Sequence, residues 1–115
     1  MATGSGTTFL LGWKYVAVAA GQTTATLSVN KGSRISKLII QPTTGAPGNV
    51  ILYDGKGANN ATVYTYPGSA TYDASLFPFE VDFDNLPNTG IGDTAAGWYV
   101  TTGNNVTVVA VVQGA

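Results

Sequence analysis

The strongest constraint in this chain is a rhythm. Short runs of β-branched and aromatic residues recur about every ten residues, and clusters of Gly, Pro, Asn, Asp and Ser separate them. The runs are 15–19 (YVAVA), 24–29, 34–41, 50–53, 62–66, 79–83, 98–102 and 106–113. No window keeps a 3.6-residue apolar period with helix formers, and the chain holds a single glutamate and four lysines. These features predict an all-β fold, an antiparallel β-sandwich of about eight short strands, jelly-roll-like, with little or no helix.

Individual runs refine the expectation. Over Phe79–Phe83, Phe79, Val81 and Phe83 fall on one face and Glu80, Asp82 and Asp84 on the other. The segment "NKGS" at 30–33 reads as a turn, and 42–48 and 85–97 read as loops. "VILY" at 50–53 and "VTVVAVV" at 106–112 are apolar on both faces, so a sandwich that covers one face leaves the other asking for a partner. Thr-Thr-Gly followed by Asn-Val and a strand occurs twice, at 43–54 and 101–112, an echo that threonine- and glycine-rich sequence readily produces by chance. The domain plan is a polar N-terminal arm over 1–8 and one sandwich domain over 9–115.

Length and composition fit this plan. At 115 residues, 44% apolar and without cysteine, the chain can bury a core without covalent staples. Charged residues make up 10% against a usual ~25%. The surface is therefore expected to be amides and hydroxyls, or to be shared with neighbouring chains. Five basic residues without a dense cluster argue against nucleic acid. The start lacks a secretory pattern, and the longest apolar run is too short to cross a membrane. Basic residues dominate before Asp54 and acidic ones after it; since the halves of a folded domain usually interleave, this reads first as mixed surface charge, and alternatively as complementary patches meeting between copies.

The chain offers little chemistry. It has no histidine and no cysteine, which removes the Ser-His-Asp triad, the Cys-His dyad and the usual zinc sites. Neighbours among Glu80, Asp82 and Asp84, two residues apart on a strand, stand roughly 7 Å from one another, a separation a glycosidase could use. They lie opposite the apolar face, however, where no burial would hold one of them protonated. "DGKG" at 54–57 lacks the Ser or Thr and the following helix of a P-loop, and reads as a hairpin turn after a strand. No cofactor and no metal site is assigned; calcium stays an open alternative for the acids at 80–84, which supply too few oxygens unless Asp73 or Asp93 joins them. Asn60-Ala-Thr62 and Asn105-Val-Thr107 match the glycosylation pattern but carry meaning only on a secretory route.

Several segments, taken in order, resemble small β-sandwich structural proteins of tailed bacteriophages. They are "YVAVAAGQTTATLSVNKGSRISKLII", "GNVILYDG", "YPGSATY", "FPFEVDF" and "GWYVTTGNNVTVVAVV", spanning roughly 13–113. The resemblance implies a virion protein without catalysis, made in the host cytoplasm and carried on the capsid surface. It implies a decoration or cement protein that binds the major capsid protein, and a homo-oligomer, with a trimer favoured. Expected contact residues are Phe9, Trp13 and Tyr15 near the arm, and Val106, Val108, Val109 and Val111 of the last strand. The alternative is a carbohydrate-binding or host-adhesion module of a fibre or tail. Exposed aromatics and polar partners would then hold surface glycans, with Tyr53, Tyr64, Tyr66, Trp98, Asp54 and Asn59 as candidates.

Overall fold

The computed structural model describes residues 12–55, 61–69, 77–90 and 97–114. Eight strands follow one another: β1 (Trp13–Val18), β2 (Ala25–Thr26), β3 (Arg34–Pro42), β4 (Val50–Asp54), β5 (Ala61–Tyr66), β6 (Phe79–Pro87), β7 (Trp98–Thr102) and β8 (Val106–Gln113). They form two four-stranded antiparallel sheets, ordered β1-β8-β3-β6 and β2-β7-β4-β5. This is the strand order of the jelly roll: each sheet takes its strands alternately from the two ends of the sequence. There is no helix among the described residues.

The expected strands are present, and three of them depart from the expected bounds by more than one residue. β2 keeps only Ala25–Thr26 of the 24–29 run, because Leu27 and Ser28 turn away to bond the Trp98 carbonyl through both their amides. β6 continues past Phe83 to Pro87 and takes up the start of the expected 85–97 loop. β1 starts two residues earlier, at Trp13.

The alternation of side chains explains the core. Val106, Val108, Ala110 and Val112 of β8 point inward, level with Val16 and Val18 of β1 and with Ile35, Leu38 and Ile40 of β3. Val50 and Leu52 of β4, and Trp98 and Val100 of β7, face them from the other sheet. Ile35 and Leu38 are three apart, which a regular strand would send to opposite faces. A bulge between Ile35 and Lys37 takes up the extra residue and lets both point inward. Opposite it, Asp84 and Asn85 of β6 take positive φ of 55° and 69°, a conformation that short Asx side chains tolerate. At the open side of the sandwich, Tyr64 meets Phe83 edge-on at 5.8 Å, and Tyr66 lies over Phe79 at 5.9 Å, joining β5 to β6 across the sheets.

The two strands with two apolar faces are central in their sheets. β8 lies between β1 and β3, and β4 between β7 and β5. The outward residues of β8 therefore have cross-strand neighbours on both sides. Val111 sits between Tyr15 and Lys37 in register and is buried, and Val109 sits between Ala17 and Ile39 and is half-buried.

Candidate functional site

Two places could carry function: the end of the sandwich where β4 finishes, and the outer face of the β1-β8-β3-β6 sheet. At the first, Asp54 closes β4 and points inward, level with Trp98. It is only 4% exposed. Its Oδ1 accepts from Asn88 Nδ2 at 2.7 Å and from the Gly90 amide at 2.9 Å. Its Oδ2 accepts from the Thr89 hydroxyl at 2.6 Å and from the Thr89 amide at 3.3 Å. A buried carboxylate without a cation needs such donors, and four of them serve this one.

Asn88 is the hub of the cluster. Its Nδ2 also donates to the Gly97 carbonyl at 2.7 Å, and its Oδ1 accepts the Gly97 amide at 3.0 Å. Its backbone exchanges bonds with the β2–β3 turn, donating to Ser33 O at 2.7 Å and accepting from Gly32 at 3.0 Å. Within that turn the Ser28 and Ser33 hydroxyls meet at 2.6 Å. Ser28 Oγ accepts the Trp98 amide, and the indole Nε1 donates to Ser33 O at 3.1 Å. Gly97, at φ +124°, lies so close to the chain that an added Cβ would run into the Ser28 carbonyl. The whole forms a clamp that ties the β2–β3 turn and the residues flanking the β6–β7 connection to the end of β4.

This geometry corrects the glycan expectation. Asp54 spends both oxygens on the protein's own donors and offers neither to a sugar. Trp98 is fully buried and presents no ring. Tyr66 is buried against Phe79, and Tyr64 is half-buried against Phe83. Tyr53 lies on the opposite, outer face of its sheet, level with Tyr99. Asn59 lies outside the described residues. The candidates therefore do not converge on one surface. Strand alternation is the reason: a tyrosine or tryptophan in a central strand points inward as readily as outward. No group of three acids gathers into a metal-sized cluster among the described residues; Asp73 and Asp93 lie outside them.

The second place is the outer face of the β1-β8-β3-β6 sheet. Trp13 and Tyr15 of β1 are 39% and 74% exposed there, with Ala17 beyond them. Val109, Val111 and Ile39 continue the surface inward. Glu80 and Asp82 of β6 bound it on the far side, where Lys37 pairs with Glu80 at 3.3 Å. The contact expectation is thus corrected in part. Val106 and Val108 belong to the core, because residues two apart share a face and theirs is the inner one. Val109 and Val111 do point outward, although Val111 is already covered. Phe9 and the 1–8 arm lie outside the described residues.

Asn88, Ser28 and Ser33 escape the sequence reading. The available signals are weak: an Asn-Thr-Gly after a strand, and serines on either side of a turn. Compared with family models, curated proteins and solved structures, the chain matches none.

Proposed function

We propose that this chain is a structural protein of a bacteriophage virion, a capsid decoration protein that binds the major capsid protein and stabilises the head by protein–protein contact. It acts as a homo-oligomer, with a trimer favoured, on the capsid surface, and carries out no catalysis. The observation that supports this most is the outer face around Trp13 and Tyr15. Two aromatic side chains stand exposed there on an edge strand, beside Ala17 and half-buried Val109, with the charged residues of the face gathered toward β6, and exposed aromatics are what an interface core favours. The jelly roll, an architecture used by viral capsid domains, supports it. So does the order of motifs that resembles phage structural proteins. The lack of histidine and cysteine supports the absence of catalysis.

The test is co-sedimentation of purified chain with capsids lacking it, followed by thermal unfolding of the particles. The expected result is saturable binding and a higher particle melting temperature, both weakened by Tyr15→Asp. If the chain stays in the supernatant, the reading fails.

A further inference from the structure

Asp54 and Gly55 form the one Asp-Gly step in the sequence, and no Asn-Gly step is present. In a free chain an Asp-Gly step is chemically weak. The glycine nitrogen attacks the aspartate side-chain carbon, Cγ, and no side chain on the glycine stands in the way. In the fold both residues are buried, and each group that this attack needs is held. The nucleophile is engaged, since Gly55 N donates to the Gly97 carbonyl at 2.9 Å. The electrophile is fixed, since both Asp54 oxygens accept from Asn88, Thr89 and Gly90. The backbone is fixed as well. Asp54 pairs with Ala61 on one side and Trp98 on the other, so the chain cannot rotate to bring Gly55 N onto Cγ.

We infer that Asp54–Gly55 is a latent isomerisation site, and that the clamp at the end of β4 keeps it closed. When that end opens, Gly55 N bonds to Asp54 Cγ. The side-chain OH leaves as water, taking up the amide proton, and a succinimide ring remains. Water then adds to one of the two ring carbonyls. Addition at Cγ restores aspartate. Addition at the former backbone carbonyl breaks its bond to Gly55 N, so that the chain now runs through Cβ and Cγ and the free carboxylate sits on Cα. One water leaves and one returns, with no oxidant, reductant or cofactor.

For the fold this step runs one way. In the isomerised chain the carboxylate is one carbon shorter in reach and the backbone one methylene longer. The carboxylate no longer meets Asn88, Thr89 and Gly90 together, and Gly55 N is displaced from the Gly97 carbonyl. The clamp cannot re-form, and the β2–β3 turn and the flanks of the β6–β7 connection lose their tie to β4. A transient opening thus becomes a permanent covalent mark. This inference goes beyond the capsid reading and does not depend on it.

The experiment incubates the full chain at neutral pH for days, folded and in denaturant, and counts isoaspartate by labelling with isoaspartyl methyltransferase. The label is located in the tryptic peptide 38–56, where the one other candidate, Asn49, precedes the bulky Val50. Unfolded wild type is expected to label in this peptide. Unfolded Asp54→Glu is expected not to, because its ring would need a sixth member. Folded wild type is expected to label slower by about a hundredfold or more, since the rate falls with the fraction of time the segment is open. Folded Asn88→Ala, its fold verified by circular dichroism, is expected to label faster than folded wild type by about tenfold or more. Three results would overturn the inference: no label at 38–56 in the unfolded chain, folded wild type labelling at the unfolded rate, or Asn88→Ala no faster than wild type. If Asn88→Ala fails to fold, Thr89→Ala, which removes one donor at an exposed residue, decides by the same comparison.

Discussion

Removing the Asp54 carboxylate tests the clamp at the end of β4. Asp54→Ala deprives four donors of their acceptor. Thr89 is exposed and Gly90 half-buried, so their groups can turn to water. Asn88 is buried and cannot; its Nδ2 keeps only the Gly97 carbonyl. A hydrogen bond to a charged group contributes about 1.5–3 kcal/mol, and stranding a buried polar group costs a further ~1–3 kcal/mol. Taken together with partial rescue by water, the loss should be about 3–5 kcal/mol, a large part of the ~5–15 kcal/mol that holds a domain of this kind together. Asp54→Asn keeps the shape and one acceptor oxygen. The Thr89 hydroxyl can reverse to accept from the new amide, and only the weak 3.3 Å amide bond is left facing a donor. That change should cost about 1–2 kcal/mol. Urea unfolding, followed by intrinsic fluorescence, reads both as shifts of midpoint at constant slope. Asn88→Ala should destabilise comparably, and the double variant Asp54→Ala with Asn88→Ala should cost clearly less than the sum, since both belong to one network. Wild-type stability in Asp54→Ala, equal losses in the Asn and Ala variants, or full additivity with Asn88→Ala would mean that the clamp does not hold this end of the sandwich.

Other outcomes follow from the same packing. Gly97→Ala should be worse than any surface change, at least about 3 kcal/mol, because the new Cβ meets the Ser28 carbonyl and the φ of +124° disfavours an L side chain; thermal unfolding reads it. The two tryptophans should separate in a quenching experiment: Trp98 resists acrylamide and emits to the blue, whereas Trp13 is quenched, and Trp98→Phe removes the protected component alone. Burial raises the Tyr64 phenol above the ordinary tyrosine range. The folded state therefore holds that proton after the unfolded chain has released it, so this contribution to stability is intact below pH ~10 and is lost as pH climbs beyond it. In a phenolate absorbance titration, Tyr64→Phe should remove a part that titrates above the ordinary tyrosine range.

Much of the fold can be read in the sequence because strand grammar is local. β-Branched runs, Gly-Asn-Asp turns and period-two alternation need no knowledge of distant partners, which is why β7 and β8 match their expected bounds to the residue. Departures occur where tertiary contacts decide. The 24–29 run alternates well enough to be a strand, yet the Trp98 carbonyl draws Leu27 and Ser28 out of register. The acids and phenylalanines of β6 alternate as expected, but its extension through Asp84 and Asn85 depends on the facing bulge in β3. The two Thr-Thr-Gly segments look like a repeat, and in the fold they are neighbours: Gly48 and Gly103 pack backbone to backbone, with Gly48 N to Asn104 O and Gly103 N to Asn49 O both at 2.7 Å.

The candidate sites were less legible. A polar residue next to a glycine turn has the same signature whether it binds a ligand or its own loop. Asp54 does the latter, because the Asn88-Thr89-Gly90 segment, thirty-four residues on, turns its donors back toward it. Valines in an alternating strand likewise divide between core and surface by parity. Sequence shows that Val106 and Val108 share one face and Val109 and Val111 the other. Only the position of the second sheet says which face is inner.

Imaging distinguishes the proposed capsid-covering role from the alternatives. Labelled chain is added to phage virions of the kind proposed to carry it, and the particles are reconstructed by electron microscopy. The expected result is density over the outer surface of the head at regular positions between capsid subunits, lost with Tyr15→Asp. Density confined to the tail or fibres, or no density on the particle, would contradict it.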